Sequence, residues 1–230
     1  MARLILIETA TALCSTAIAD GDRIISYRES SENRAHASLT AVFIDEMLKE
    51  TGLGIKDCDG VCVSMGPGSY TGLRVGVSTA KGLCFGAGIP LLAVGTLDIL
   101  AHQAIEGNLL PEGCRYIIPM IDARRMEVYT AVFDTQCRQI TETAPEVITA
   151  DSFRSQRDEG PVLFIGDGAG KCSDILASEG SAFVQCCPKA SSMLVPAMEE
   201  YKEKRFKDVA YFEPFYLKEF VATVSKKKLF

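Results

Sequence analysis

A glycine-rich segment at residues 64–76 has the most specific composition in this sequence. We call it the elbow, and its central residues are Gly66, Pro67, Gly68, Ser69, Tyr70, Thr71, Gly72, Leu73 and Arg74. Its glycines permit positive φ angles and close approach of the backbone, and its proline stiffens the turn. An apolar strand precedes it and a helix follows, so Ser69 or Thr71 is predicted to cap that helix. Backbone N–H groups at such a turn can bind an anion, but the elbow has almost no acid or base, so we predict that it holds a shape or a partner.

The spacing within the elbow differs from that of phosphate-binding loops. A Walker loop has two glycines five residues apart followed by Lys and Ser or Thr, whereas the basic residue here is Arg74, two positions after Gly72. A dinucleotide-binding fingerprint would place glycine at position 71, which is Thr71 in this chain. Spacing alone therefore favours a tight strand-to-helix turn over a nucleotide site.

Side chains suited to catalysis are sparse in the rest of the sequence. There are two histidines, His36 and His102, and no cluster has the spacing of metal ligands. A hydrolase that needs a metal ion or an activated nucleophile is therefore disfavoured, and we predict no catalytic residue and no metal site. Glu8 and Asp122 are conceivable as the acid-base and magnesium-binding groups of a phosphotransferase.

Composition and charge limit the class of protein. With 230 residues, of which 47% are hydrophobic and 23% are charged, the chain can bury one large core or two smaller ones, and we favour two lobes. A net charge of -6 argues against general nucleic-acid binding, which relies on dense Lys and Arg. Any role with RNA would need a more basic partner.

Cysteine usage and hydropathy predict a cytoplasmic protein that does not enter a membrane. The nine cysteines show no paired Cys-x-x-Cys spacing, and Cys14, Cys62 and Cys84 have the apolar neighbours of buried structural thiols. A redox-active pair at Cys186 and Cys187 is the less favoured interpretation. The sequence begins directly with a strand, and no apolar run approaches the roughly 20 residues that span a bilayer.

Two groups of strands and helices are predicted to position the elbow. Apolar runs and turn signals predict strands at residues 4–7, 15–19, 23–27, 60–65 and 90–94, and helical spacing predicts helices at 36–50, 71–86 and 97–105. After turn residues between 107 and 113, strands are predicted at 116–121, 126–133 and 162–165, and helices after residue 171 and at 191–203. This order predicts an α/β protein with an N-terminal lobe over residues 1–108 and a C-terminal lobe over residues 109–230.

Several motifs carry a close resemblance to one protein family. They are residues 66–76 and 80–83 at the elbow, the opening Ile5-Leu6-Ile7-Glu8-Thr9-Ala10-Thr11, and then Asp122-Ala123-Arg124, Glu127-Val128-Tyr129, Gly166-Asp167-Gly168-Ala169 and Pro214-Phe215-Tyr216-Leu217-Lys218. Together they closely resemble the signature of the TsaB family, also called YeaZ. The resemblance covers nearly the whole chain.

The resemblance implies a fold, a function and partners. TsaB proteins have the two-lobed fold of actin, hexokinase and Hsp70 ATPase domains (ASKHA), with mixed sheets flanked by helices. They support synthesis of N6-threonylcarbamoyladenosine (t6A) at position 37 of tRNAs that read codons beginning with A. The family pairs with its catalytic relative TsaD and with the small ATPase TsaE, and it meets tRNA only through that complex. TsaB itself is regarded as a scaffold without an active site or a cofactor.

This chain departs from TsaD where TsaD binds its metal ion and phosphate. The two histidines of the TsaD motif Val-Asn-His-Leu-Glu-Gly-His correspond to Thr96 and Leu100, neither of which is a useful ligand for a transition metal. The first hairpin, at residues 8–12, lacks glycine and begins with an acid. Where TsaD has Gly-Gly-His-Thr, this chain has residues 122–125, and Asp122 would repel a phosphate. The turn at residues 166–169 is predicted to lead a helix, and adenine binding there is the less favoured alternative.

The resemblance also implies that the helices at 36–50 and 71–86 contact TsaD, or pair two copies of the chain when TsaD is absent. Small residues on these helices suit close helix packing, although a core within the lobe explains the pattern equally well: Ala41, Gly76, Ser78, Ala80 and Gly82. On the first helix, a core face is predicted from Leu39, Val42, Phe43, Met47 and Leu48. Val77→Arg would test the contact, provided that Val77 does not face the core.

Three alternatives to a non-catalytic partner subunit remain open from the sequence. An ATP-dependent phosphotransferase of the sugar-kinase-like type would suit the fold, but fold alone does not decide function. A glycoprotease-like hydrolase lacks the metal ligands and nucleophile that it needs. A self-associating structural protein would use the same two helices.

Overall fold

The computed structural model describes residues 2–32 and 35–217, and its first sheet holds the predicted opening strands. The strand order is β3-β2-β1-β4-β5, with β1 and β2 antiparallel and with β1, β4 and β5 parallel. The strands are β1 (Arg3–Glu8), β2 (Cys14–Asp20), β3 (Arg23–Ser30), β4 (Gly60–Ser64) and β5 (Leu91–Val94). Because β1, β4 and β5 are parallel, their carboxyl ends meet at one edge, where ligands of open α/β sheets usually bind.

Helices cover both faces of the first sheet. On one face, α1 (Ala35–Thr51) and α2 (Tyr70–Ala87) pack over alternate residues of β1 such as Ile5 and Ile7. On the other face, α3 (Thr96–Glu106) and α6 (Leu194–Lys202) pack over Leu4 and Leu6. The period-two alternation of a strand buried on both sides explains the continuous apolar run at residues 4–7.

The second sheet follows in sequence and is also mixed. Its order is β11-β10-β6-β7-β9, with β8 paired to β6, and β10 lies parallel to both β6 and β11. The strands are β6 (Tyr116–Asp122), β7 (Glu127–Thr130), β8 (Phe133–Asp134), β9 (Ala144–Val147), β10 (Val162–Ile165) and β11 (Ser181–Val184), with the short helices α4 (Arg154–Glu159) and α5 (Ala169–Leu176).

Helix α3 and the end of the described chain link the two sheets. One side of α3 packs on the first sheet through Ile99, and its other side packs on the second sheet through Leu97 and Leu100. The chain then returns to the first sheet, where a 3₁₀ turn at Ala190–Met193 and helix α6 pack against β1 and β2. The division of the chain into two lobes between residues 108 and 109 stays a prediction. The structure shows that the last described segment returns to the first sheet.

Most of the predicted elements are confirmed, with differences in five places. The predicted strand at 126–133 is two strands, β7 and β8, and the predicted helix at 191–203 is the 3₁₀ turn followed by α6. Strands β9 and β11 and helix α4 were not predicted. Within residues 2–32 and 35–217, no helix has the length and apolar character needed to cross a bilayer.

The buried face of α1 differs from the predicted one. Met47 is fully buried as predicted, but its neighbour on the core is Ile44, which was not in the predicted set. Val42 was predicted to face the core, and it is 45% exposed. An apolar side chain at helical spacing can serve the core or an outward surface, and spacing alone does not separate the two.

Candidate functional site

The elbow is bound to the first hairpin, between β1 and β2. Ser69 caps α2, because its Oγ accepts a hydrogen bond from Gly72 N at 3.3 Å. Ser69 N in turn donates to the carbonyl of Ala10 at 2.7 Å, and the Thr9 hydroxyl donates to the carbonyl of Gly72 at 2.9 Å. The elbow therefore joins the start of α2 to the hairpin that follows β1.

The elbow glycines permit this close packing. A Cβ on Gly68 would overlap the backbone of Ala10, and one on Gly72 would overlap the carbonyl of Thr9. A Cβ on Gly76, one turn later, would overlap the Thr9 hydroxyl. These glycines are thus explained by the hairpin that presses on them, without an anion. This close packing is the physical reason why the elbow would hold a fixed shape.

A segment at residues 207–217, which we call the strap, binds the elbow from the other side. Phe215 N donates to the carbonyl of Met65 at 2.7 Å, and Gly66, at φ +110°, lies directly against the Phe215 carbonyl. The Tyr216 ring packs on Tyr70 with ring centroids 4.9 Å apart. This contact was not predicted, and Lys218, the last residue of the Pro214 motif, lies outside the described residues.

Two basic residues of α2 also form contacts with the strap or with the ring that packs on it. The guanidinium of Arg74 lies 4.3 Å from the centre of the Tyr70 ring, and its Nε donates to the Tyr216 hydroxyl at 3.4 Å. Further along α2, Lys81 Nζ donates to the strap carbonyls of Ala210 and Phe212 at 3.0 and 3.1 Å. A cation committed to protein groups in this way is a poor candidate for a phosphate-binding residue.

The first hairpin begins with a buried acid. Glu8 is fully buried, and its Oε1 accepts a hydrogen bond from Ala10 N at 2.5 Å. Burial raises the pKa of Glu8 to about 8, against the lowering effect of its hydrogen bonds with the Ala10 backbone and the Ser64 hydroxyl. The carboxyl group therefore occupies a backbone donor that a phosphate would otherwise use.

In the second lobe, the turn at residues 122–125 also has polar groups that bind one another within the chain. Asp122 N donates to Asp167 Oδ1 at 2.9 Å, and Asp122 Oδ1 accepts from Arg124 N at 2.7 Å. Lys171 Nζ bonds the same carboxylate at 2.5 Å. Burial raises the pKa of Asp167. Asp122 is therefore an exposed residue whose carboxylate is ion-paired with Lys171 of α5.

The turn that leads α5 also has internal partners for its donors. Gly168 N donates to the carbonyl of Met120 at 3.0 Å, and Gly170 N donates to Gln185 Oε1 at 2.7 Å. The other end of the same amide group, Gln185 Nε2, donates to the carbonyl of Asp167 at 2.8 Å. The nucleotide that this type of fold commonly holds therefore does not fit these residues, because carboxylates and an amide of the chain take the donors that it would need.

The two positions that the family resemblance aligned with the metal ligands of TsaD lie inside the protein. Thr96 and Leu100 are both fully buried in α3. His102 is half-buried, and burial lowers its pKa. In the part of the chain that the structure describes, no group of three or more His, Cys, Asp or Glu side chains is arranged to hold a metal ion. The cysteines of the described residues are free, and Cys14, Cys62 and Cys84 are buried as predicted.

The outer surface of α2 carries an exposed apolar side chain in the last turn of the helix. Phe85 is 85% exposed, and a Cβ added to Gly82 or Gly86 would meet nothing within 4 Å. A groove of about 600 Å³ runs beside these residues, between α2 and the strap, and it is lined by Lys81, Gly82, Phe85, Asp208, Val209 and Ala210. Val42 on the neighbouring helix α1 adds a second exposed apolar side chain.

Several residues for which the sequence left a core or a partner surface open face inward. Val77 is only 4% exposed and belongs to the core, so Val77→Arg would test folding and not partner binding. Gly76 and Ala80 are buried as well, whereas Ala41, Ser78 and Gly82 are exposed. The exposed face of α2 is therefore formed by Ser78, Gly82 and Phe85, and it does not include Gly76, Val77 or Ala80.

Two mixed sheets with flanking helices, joined across α3, define an actin- and hexokinase-like (ASKHA) α/β protein. A solved structure of YeaZ from Pseudomonas aeruginosa matches 94% of this chain and all of its own, with a TM-score of 0.82 and 25% identity. An activator of the 2-hydroxyisocaproyl-CoA dehydratase from Clostridium difficile, solved with bound ADPNP, shares the fold at a TM-score of 0.50 and 12% identity, over 88% of this chain and 97% of its own.

Sequence comparisons identify the family. The family model described as TsaD, tRNA N6-adenosine threonylcarbamoyltransferase, matches residues 24–225. The tRNA threonylcarbamoyladenosine biosynthesis protein TsaB of Escherichia coli is 30% identical over 96% of this chain and 96% of its own length. The TsaB protein of Bacillus subtilis is 28% identical over 94% and 93%. This chain belongs to the TsaB family, also called YeaZ, and the resemblance found in its motifs is confirmed.

Proposed function

We propose that this chain is a non-catalytic partner subunit in the synthesis of t6A at position 37 of tRNA, where it binds and supports the TsaD transferase subunit. The observation that carries the proposal is the match, over nearly full length, to relatives named as tRNA threonylcarbamoyladenosine biosynthesis proteins. The geometry supports a binding role, because the chain combines an internally filled cleft with an open apolar helix surface.

The non-catalytic part of the proposal rests on the cleft. Glu8 and Asp122 would have to serve as the acid-base groups of a phosphotransferase, but Glu8 is fully buried and Asp122 is bound to Lys171. The backbone donors that could hold phosphate already have partners in Glu8, Asp167 and Gln185. A phosphotransferase must position a nucleotide and its metal ion, and these contacts occupy three backbone donors of the described turns that could do so.

The partner surface in this proposal is the outer face of α1 and α2. Phe85 and Val42 supply exposed apolar side chains, and Ser78 and Gly82 let a neighbouring backbone approach closely. A standard interface buries about 800 Å² on each side, which two adjacent helices of this length can provide. The same face would pair two copies of the chain when TsaD is absent.

The net charge of the chain bears on how it would meet tRNA, and its thiols bear on where in the cell it would act. With a net charge of -6, the chain is suited to meeting tRNA through its partners and not directly. TsaE is the second protein partner in this proposal. The free thiols of the described residues agree with a cytoplasmic location.

The test is reconstitution with TsaD and TsaE from the same source. We expect this chain to co-elute with TsaD, and t6A formation on tRNA to fall strongly when it is omitted. Calorimetry of the isolated chain with ATP is the matched control, for which weak or no binding is expected. Undiminished modification without the chain would overturn the proposal, and steady ATP hydrolysis by the chain alone would return the phosphotransferase to first place.

A further inference from the structure

The hairpin between β6 and β7 holds two neighbouring exposed arginines, Arg124 and Arg125, in a strained backbone. Their φ angles are +71° and +50°, and among the described residues other than glycine no other two neighbours in the sequence both have positive φ. Glycine and asparagine ordinarily take such positions, because a Cβ is crowded in the left-handed region. Two arginines there cost the fold stability, so the reason for their presence is to be sought in a function.

The chain holds the backbone of this hairpin in place. Asp122 Oδ1 accepts hydrogen bonds from Arg124 N at 2.7 Å and from Lys171 Nζ at 2.5 Å. Lys171 Nζ also donates to the carbonyl of Glu127 at 2.7 Å, and Glu127 N donates to the carbonyl of Arg124 at 3.2 Å. These contacts maintain the strained conformation and give the two arginine side chains a fixed base.

The arginine side chains themselves are left open to a ligand. Neither guanidinium group forms a hydrogen bond or an ion pair with any residue that the structure describes. Arginines elsewhere in the chain have acidic partners, such as Arg28 with Glu50. The carboxylate of Asp122, within the hairpin, is already ion-paired with Lys171. The hairpin therefore presents two adjacent positive charges on a chain whose net charge is -6.

We propose that Arg124 and Arg125 bind the phosphate backbone of the tRNA after TsaD has bound it, an inference that rests on the proposed function. Guanidinium groups form paired, charge-assisted hydrogen bonds with phosphate oxygens. Contacts of this kind position an RNA without reading its sequence. Because the chain is acidic as a whole, it does not capture tRNA alone, and the hairpin adds to binding that the partner supplies.

The salt dependence of tRNA binding to the complex of this chain with TsaD tests the contact. Each phosphate contact contributes about 1 to the slope of log affinity against log salt concentration. The double variant Arg124→Gln with Arg125→Gln should reduce that slope by about 2 and lower the affinity at about 0.1 M salt by at least about tenfold. Arg138→Gln, at an exposed site of the same lobe, is the matched control and should keep the wild-type slope.

A second double variant, Arg124→Asn with Arg125→Gly, separates phosphate binding from a structural role of the hairpin. Asparagine and glycine relieve the left-handed strain, so this variant should unfold at a higher urea concentration than the wild type. It should nevertheless lose the same salt slope as the glutamine variant. Lower stability than the wild type would remove the strain from which the inference starts and overturn it. Unchanged tRNA binding, or an equal loss in Arg138→Gln, would overturn it as well.

Co-elution with TsaD before tRNA is added reports on the proposed function separately. The hairpin lies in the second lobe, whereas the surface proposed for TsaD lies on α1 and α2, so the double variants should form the complex normally. If the wild type forms no complex, the proposed function fails, and the same titration of the isolated chain decides the hairpin, which equal slopes or no tRNA binding would refute. Weaker binding of TsaD or TsaE by the glutamine variant, with its tRNA slope unchanged, would make the hairpin a protein contact and overturn the proposal.

Discussion

The two faces of α2 use the same kinds of residue for opposite purposes. On the inner face, Gly72 and Gly76 lie so close to Thr9 that a methyl group would overlap it. On the outer face, Gly82 and Gly86 have nothing within 4 Å of the place where a methyl group would be. A glycine inside a helix costs stability relative to alanine, and within residues 2–32 and 35–217 the packing gives a reason for that cost at the inner pair alone.

The difference between the two faces of α2 indicates that a binding function of the helix would lie on its outer face. The inner face is explained by the fold, because its glycines and the cap at Ser69 hold the hairpin against the elbow. The outer face is left with small residues and with Phe85, which is 85% exposed among the residues that the structure describes. A helix face of this composition is typical of a surface that packs against another protein.

The largest effect is expected from filling the inner face. Gly72→Ala would drive a methyl group into the carbonyl of Thr9, so either α2 or the hairpin must move. We expect a loss of about 3 kcal/mol in the free energy of unfolding. Urea denaturation of the purified variant measures it, and a loss below about 1 kcal/mol would show that the elbow is not tightly packed.

A smaller effect, on binding and not on folding, is expected from the outer face. Phe85→Glu places a charge at an exposed position, so stability should change by less than about 0.5 kcal/mol. If Phe85 lies near the centre of the TsaD interface, the affinity should fall by about 2 kcal/mol, or about 30-fold. Titration calorimetry with TsaD provides the measurement, with Val147→Glu on the exposed edge of the second sheet as the matched control. Equal affinities for both variants would remove Phe85 from the interface.

The strap should contribute a modest amount to the elbow. Tyr216→Ala removes the ring that packs on Tyr70 and the hydroxyl that receives Arg74. We expect a loss of about 1 kcal/mol in the free energy of unfolding, typical of an exposed aromatic pair. Thermal denaturation compared with Tyr211→Ala, whose ring is 84% exposed, separates this contact from the loss of any tyrosine on the strap. Equal melting temperatures for the two variants would contradict the role given to Tyr216.

The smallest expected effect is a gain in stability, opposite in sign to the loss expected for Gly72→Ala. Gly82→Ala introduces a methyl group into open space on the same helix, so the variant should be more stable by about 0.7 kcal/mol. The measurement is the same urea denaturation, run beside Gly72→Ala. A destabilised Gly82→Ala would mean that the outer face is packed against part of this chain, and the contrast between the two faces would fail.

The sequence predicted the arrangement of strands and helices around the elbow, because periodic apolar residues report it directly. The strands from β1 to β5 and the helices α1 to α3 lie where period and turn signals place them. Strand β9 was missed because it is a short edge strand that contains Pro145, and strand β11 is short and only half-buried. Both lack the alternation on which strand prediction depends.

The site was predicted less completely, for reasons that are also physical. Residue types identified the elbow, and the family resemblance predicted that Thr96 and Leu100 replace the metal ligands of TsaD. They did not show that the glycines fit the hairpin, since that contact joins residues about 60 positions apart, such as Thr9 and Gly72. Val42 was predicted to face the core and is exposed, and the side to which Val77 points, which the sequence left open, is the core; core and partner faces of a helix are both apolar.

The most direct test of the account is hydroxyl-radical footprinting of the chain alone and in complex with TsaD. The reporters are Phe85 and Val42 on the outer face, which are 85% and 45% exposed, and Val147 on the second lobe, which is 64% exposed. We predict that TsaD slows the oxidation of Phe85 and Val42 severalfold and leaves Val147 unchanged. Protection of Val147 with no change at Phe85 and Val42 would contradict the account and place the interface on the second lobe.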